Sequence, residues 1–139
     1  TDELDKYKNE TVLEDGTLLK EKKDVLISAN VYMGAEGITK ALEEGADLVI
    51  TGEGQLDGQT VMGKAPIGVA KLSKEYGKPV LAFSGCVTKD ASACNAAGID
   101  AFFPILRSVV SLEEAMDVKN AAENMTDTVE QAFRLFLLQ

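Results

Sequence analysis

A chain of 139 residues, 45% apolar and 27% charged, carries enough material for one domain with its own core. Its 14 Lys and Arg against 23 Asp and Glu give a net charge of −9, which sets aside nucleic acid and anionic membrane as general partners, because both demand positive charge. With no histidine anywhere, Ser–His–Asp catalysis, Cys–His catalysis and histidine metal centres are excluded as well.

Residues 1–23 are polar, and TVLEDGTLL (11–19) alternates around Asp15-Gly16, which predicts a hairpin or an ordered arm. Residues 24–51 read as strand–helix–strand. DVLISA (24–29) and DLVIT (47–51) are the buried-strand candidates, and GAEGITKALEEG (34–45) is the helix between them, closed by Gly45. Pro66 suits the first turn of a helix that runs to about Tyr76 and stops at Gly77. PVLAFSG (79–85) is a third strand, KDASACNAAG (89–98) a short helix, and IDAFFPI (99–105) a fourth strand. Pro104 should end that strand or place it at an edge, since proline cannot donate to the ladder.

Ser111 with Glu114 has the spacing of a capping box. Beyond it Ala115, Val118, Ala122, Met125, Val129, Ala132 and Phe136 recur at helical spacing, as one long helix or two in line with a core-facing stripe. Alternating strands and helices predict a single α/β domain over 1–139. The expected form is a three-layer Rossmann- or flavodoxin-like sandwich, with a mostly parallel sheet of about four strands and a long C-terminal helix. Its sheet edge and long apolar helix leave room for a homodimer.

Cys86 and Cys94 lack the spacing of metal ligands and read as reduced thiols. No apolar run approaches the roughly 20 residues of a membrane span, and TDELDKYKNE lacks the apolar region of a secretion signal. The expected location is therefore the cytoplasm.

The chemistry gathers in TGEGQLDGQTVMGKAPIGVA (51–70), whose residues 52–64 read as a glycine-rich loop at a strand's carboxyl end, where parallel α/β sheets bind ligands. Ser84, Gly85 and Thr88 follow the next strand and should face the same crevice. Gly52 and Gly54 let the backbone approach an anion, and Lys64, at the start of a helix, suits a phosphate oxygen. Glu53 and Asp57 suit Mg²⁺, which takes one or two carboxylates plus phosphate oxygens. Asp57 also suits the acceptance of a hydroxyl proton, and Gln59 and Thr60 suit hydrogen bonds to a polyhydroxy substrate. Together they point to phosphoryl transfer to a small hydroxylated molecule.

Plainer readings stand beside these. The glycines serve turns, Asp57-Gly58 is a common turn pair, and Glu53 and Lys64 are ordinary surface charges. GQTVMGKA (58–65) follows the phosphate-loop pattern G-x-x-x-x-G-K but has Ala65 where Ser or Thr would bind Mg²⁺. GEGQLDG departs from the dinucleotide pattern, with Asp57 in place of the third glycine.

ADLVITGEGQLDGQTVMGKAPIGVAKLSKEYGKPVLAFSG, followed by GIDAFFPI and SLEEAM, resembles the C-terminal part of the bacterial glycerate kinase family from about Ala46 onward. TGEGQLDGQT with GKAPIGVA carries the specificity. The resemblance implies ATP- and Mg²⁺-dependent phosphorylation of D-glycerate to 2-phosphoglycerate, in a cleft between two α/β domains. It carries Glu53, Asp57, Gln59, Thr60 and Lys64 over as site residues. Family members are considerably longer, so this chain alone is expected to have very weak activity or none. In the first part of the chain, about residues 1–50, SANVYMGAEGITKALEEGADLVITG (28–52) resembles a stretch of the acyclic-terpene-utilisation family instead. That second likeness raises the alternatives of a chimera, an excised domain, or a non-catalytic α/β module with residual anion binding. A flavodoxin-like domain for another phosphorylated ligand is the further alternative.

Overall fold

The computed structural model describes residues 11–12, 18–19 and 34–138. The predicted hairpin appears as two short strands, β1 (Thr11–Val12) and β2 (Leu18–Leu19), paired antiparallel with Thr11 opposite Leu19. Its Asp15-Gly16 turn and the strand expected at 24–29 lie outside the described residues.

Helix α1 (Gly34–Glu43) buries Leu42, and the chain reverses at Gly45 (φ 97°), where the Ala46 N–H donates to the Ala41 carbonyl at 3.0 Å. Then follow β3 (Val49–Leu56), α2 (Ala65–Glu75), β4 (Val80–Val87), α3 (Ala93–Ala96) and β5 (Ala101–Pro104). The described sheet is β3-β4-β5, parallel throughout, with Val49 opposite Val80 and Leu81 opposite Ala101. β5 is the shortest strand of this sheet and ends at Pro104, as a residue without a ladder donor requires.

Central strand β4 shows why three layers form. Side chains alternate along a strand, so Val80 and Ala82 face one way and Leu81 and Phe83 the other. Val80 and Ala82 pack with Ile67 and Ala70 of α2, Cys94 of α3, Leu56 and Ile99. Leu81 and Phe83 pack with Ile105 and Ala132 on the opposite face, with Val129 against them and the Phe83 and Phe103 rings stacked at 5.6 Å. Burying side chains such as Phe83 or Ile67 stabilises by about 1.5–3 kcal/mol each. Asp100 adds a polar tie, accepting from the Val80 N–H at 2.7 Å and from the Lys74 ammonium.

Two boundaries differ from expectation. β3 does not stop at Thr51; the ladder continues through Glu53 opposite Ser84, Gln55 opposite Cys86 and Leu56 opposite Val87. The first five residues of the supposed glycine-rich loop, 52–56, are thus strand. The C-terminal stripe is split into α4 (Leu112–Met116) and α5 (Val118–Phe136). Ser111 caps α4 by accepting from the Glu114 N–H. Asp117 leaves the helical region (φ −63°, ψ 126°) and caps α5 by accepting from the Lys119 and Asn120 N–H groups. Only the C-terminal half of α5 reaches the core. Ala132 is buried, while Val118 is 83% exposed and Ala122 is exposed too. Among the described residues, no helix is long and apolar enough to cross a membrane.

Candidate active site

β3 delivers TGEGQL beside β4, and two of its glycines answer to that neighbour. A Cβ on residue 52 would lie 2.2 Å from the Phe83 carbonyl oxygen, and one on residue 85 would lie 2.8 Å from the Gly54 carbonyl oxygen. Gly52 and Gly85 therefore have a packing reason independent of any ligand. Gly54 differs: nothing described lies within 4 Å of where its Cβ would be, and its φ is not positive. Ser84 is buried and turned into the sheet, where its hydroxyl donates to the Cys86 carbonyl at 2.6 Å and accepts from the Leu56 N–H at 3.1 Å.

Past Leu56 the chain turns at Asp57-Gly58-Gln59, passes through a 3₁₀ turn (Thr60–Met62) and enters α2 by way of Gly63 (φ 97°) and Lys64. Asp57 organises this turn. Its Oδ1 accepts the Gln59 N–H at 2.9 Å and the Thr60 N–H at 3.1 Å, and its Oδ2 accepts from the Gln55 amide at 3.0 Å. Lys64 Nζ lies 3.5 Å from Oδ1 and is partly exposed. Side-chain oxygens of Asp commonly hold turns in this way.

These contacts set its charge. The Gln55 hydrogen bond is the largest influence holding the Asp57 carboxyl below the usual carboxylate range; burial works against it, and the Gln59 N–H and Lys64 reinforce it. Asp57 therefore stays ionised well into acid.

Thr60 joins the two carboxylates. It is fully buried, its hydroxyl donates to Glu53 Oε1 at 2.7 Å and accepts from the Asp57 N–H at 3.1 Å. Glu53, Asp57, Thr60 and Lys64 are thus brought together, with Gln59 contributing its backbone N–H. Ser84 and Gly85 are held within the sheet.

Two contributors escape a sequence reading. Gln55 is a strand residue whose amide reaches Asp57. Asp90, placed by periodicity in a helix, accepts from the Thr88 hydroxyl and the Gly58 N–H. Those bonds, led by Thr88, hold its carboxyl below the ordinary range despite opposition from burial and from nearby Asp57. A Cβ on residue 58 would lie 2.5 Å from Asp90 Oδ2, so Gly58 and Asp90 explain one another. The available signal was position alone: Thr88 and Asp90 follow the carboxyl end of the adjacent strand. Beneath the turn, burial pushes the Cys94 thiol up, and the Glu53, Asp57 and Asp90 carboxylates push it the same way.

Among the described residues, no three carboxylate or cysteine side chains gather closely enough to hold a metal ion. Magnesium asks for less, one or two carboxylates plus phosphate oxygens. Glu53 fits that demand, since among the described residues the Thr60 hydroxyl donates to its Oε1 at 2.7 Å and leaves its other oxygen for a cation. Asp57 fits it less well, with Lys64 and three N–H donors already neutralising its oxygens. An open groove of about 480 Å³ lies between the end of β5 and α5, lined by Phe103, Arg107, Thr128 and Leu135 among others.

The carboxylate–lysine turn lies at the carboxyl end of a strand in a parallel α/β layer, the place where such sheets bind ligands. The chain belongs to the glycerate kinase family, whose model matches residues 22–137. It is 43% identical over 107 residues to "Glycerate kinase" of Bacillus subtilis (strain 168), covering 73% of this chain and 28% of that protein. It is 52% identical over 85 residues to "Glycerate kinase" of Bacillus cereus (strain ATCC 10987 / NRS 248), covering 61% and 22%. With "Glycerate 2-kinase" of Escherichia coli (strain K12) the identity is 38% over 113 residues, covering 74% and 30%. The chain thus spans less than a third of the length of these relatives. The family match begins well before Ala46, so the stretch 28–52 that resembles the acyclic-terpene-utilisation family falls wholly inside the same match.

Proposed function

We propose that this chain forms part of the active site of a glycerate kinase, which transfers a phosphoryl group from ATP to D-glycerate and yields 2-phosphoglycerate. The observation that carries the reading is the turn at the end of β3, where Asp57 Oδ1 meets Lys64 Nζ at 3.5 Å at the entrance to α2.

Asp57 remains ionised just past the end of β3, beside Lys64. It orients the glycerate hydroxyl and accepts its proton as the phosphoryl group arrives. The low basicity of Asp57 makes orientation the larger part of that work. Lys64 offsets charge on the transferred phosphoryl, aided by the positive end of α2. Gln59 hydrogen-bonds the polyhydroxy acid, and Gly54 leaves room for close approach over β3. Glu53 is the carboxylate that would hold Mg²⁺, which when bound neutralises phosphate charge.

Phosphoryl transfer depends mostly on positioning and electrostatics, so a chain spanning under a third of its relatives' length is expected to turn over very slowly by itself. The test is an amide NMR titration with Mg·ATP and D-glycerate, separately and together. Saturable shifts at residues 53–64, lost in Asp57→Asn and in Lys64→Ala, are expected. A well-dispersed spectrum that ignores both ligands at millimolar concentration would favour the non-catalytic module, in which Asp57 serves only to hold its own turn.

A further inference from the structure

We propose that Thr60 is a positioning residue: its buried hydroxyl ties Glu53 on β3 to the turn carrying Asp57 and so sets the spacing of the two carboxylates. The inference rests on the reading of Asp57 and Glu53 as site residues and goes beyond it. It also departs from the expectation that Thr60 touches substrate.

Three observations carry it. Thr60 is 0% exposed, so no ligand reaches its hydroxyl. That hydroxyl spends its proton on Glu53 Oε1, at 2.7 Å, seven residues back along the chain and in a different element. Its lone pair takes the Asp57 N–H at 3.1 Å, and Asp57 Oδ1 stands at 3.4 Å, within reach but not preferred. A threonine that served its own turn alone would need only the Asp57 contacts. The bond to Glu53 links strand to turn, and a buried hydroxyl with both capacities used holds a fixed geometry. Thr60→Val keeps the shape and removes the link; Thr60→Ser keeps the link.

The experiment measures Mg·ATP and D-glycerate affinities and records the Asp57 backbone amide resonance on the same samples, since that N–H donates to the Thr60 hydroxyl. In Thr60→Val the affinity should weaken by about tenfold, as expected for loss of a buried hydrogen bond, and the Asp57 amide resonance should move. Thr60→Ser should restore both. Glu53→Gln keeps an oxygen that accepts the Thr60 hydroxyl proton and should leave the Asp57 amide in place, whereas Glu53→Ala removes that acceptor and should move it. That contrast separates positioning from general loosening, and it decides the matter if Thr60→Val does not fold.

A folded Thr60→Val with unchanged affinity and an unmoved Asp57 amide overturns the proposal, as does an unmoved Asp57 amide in Glu53→Ala. If the unsubstituted chain binds neither ligand, the kinase reading falls, while the amide shifts still show whether Thr60 ties Glu53 to the turn.

Discussion

The turn at 57–64 and the segment at 109–118 solve the same problem in opposite ways. The turn is polar and closes on itself: Asp57, Thr60, Gln55 and Lys64 satisfy one another over a few residues. The segment is apolar and stays open, with Val109, Leu112, Met116 and Val118 at 104%, 79%, 74% and 83% exposure. Hydrogen bonds within a turn need only local chain, whereas an apolar helix face is buried only when another element lies on it. The polar groups of the turn are therefore paired among themselves, while the apolar surface around α4 and the start of α5 is left exposed among the described residues.

Substitutions along β3 should give the largest contrast. Gly52→Ala drives a methyl group into the Phe83 carbonyl and should cost about 3 kcal/mol or prevent folding, as read by urea denaturation. Gly54→Ala, two residues on, meets open space and should shift stability by less than about 0.5 kcal/mol, while weakening any ligand that lies over the strand. Equal destabilisation by both would place the sheet packing elsewhere.

Acid should loosen the turn before it disturbs the apolar segment. Asp57, Asp90 and Asp100 titrate below the ordinary carboxylate range when folded; for Asp100, burial opposes this but Lys74 and the Val80 N–H outweigh it. Near pH 4 the unfolded chain binds more protons than the folded one, because unfolded Asp titrates near about 3.9. Their stabilisation is full above that value and lost as pH falls through the folded ones. A melting temperature that stays flat from pH 5 to pH 2.5 would contradict it.

Smaller effects belong to the helical segment. Asp117→Ala removes the cap of α5 and should cost about 1 kcal/mol, visible as a lower denaturation midpoint. Leu112→Ser with Met116→Ser should change stability by less than about 0.5 kcal/mol for the pair and improve solubility. A loss of 2 kcal/mol or more would show that these side chains are covered in solution.

How much of this was legible depends on the range of the interaction. Helix ends were readable at Gly45, Gly77, Pro66 and Ser111, because a positive φ, a missing N–H or a capping hydroxyl acts within one turn. The alternation that makes Val80 and Ala82 one face and Leu81 and Phe83 the other was readable too, as was the parallel α/β class. The grouping of Glu53, Asp57, Thr60 and Lys64 followed from spacing at a strand end.

What the sequence determined by itself was the inventory: which segments are strand or helix, which faces are apolar, and which few charged residues share one turn. Only the tertiary structure decided where β3 ends, because its last residues are strand by virtue of pairing with β4, and glycine is otherwise a weak strand former. It alone brought Asp90 to Gly58 and turned Ser84 into the sheet, since both contacts cross between neighbouring strands. It alone showed that the stripe on α5 meets the core at Ala132 and not at Val118. Periodicity fixes the face of a helix, but burial depends on whether another element is there to meet it.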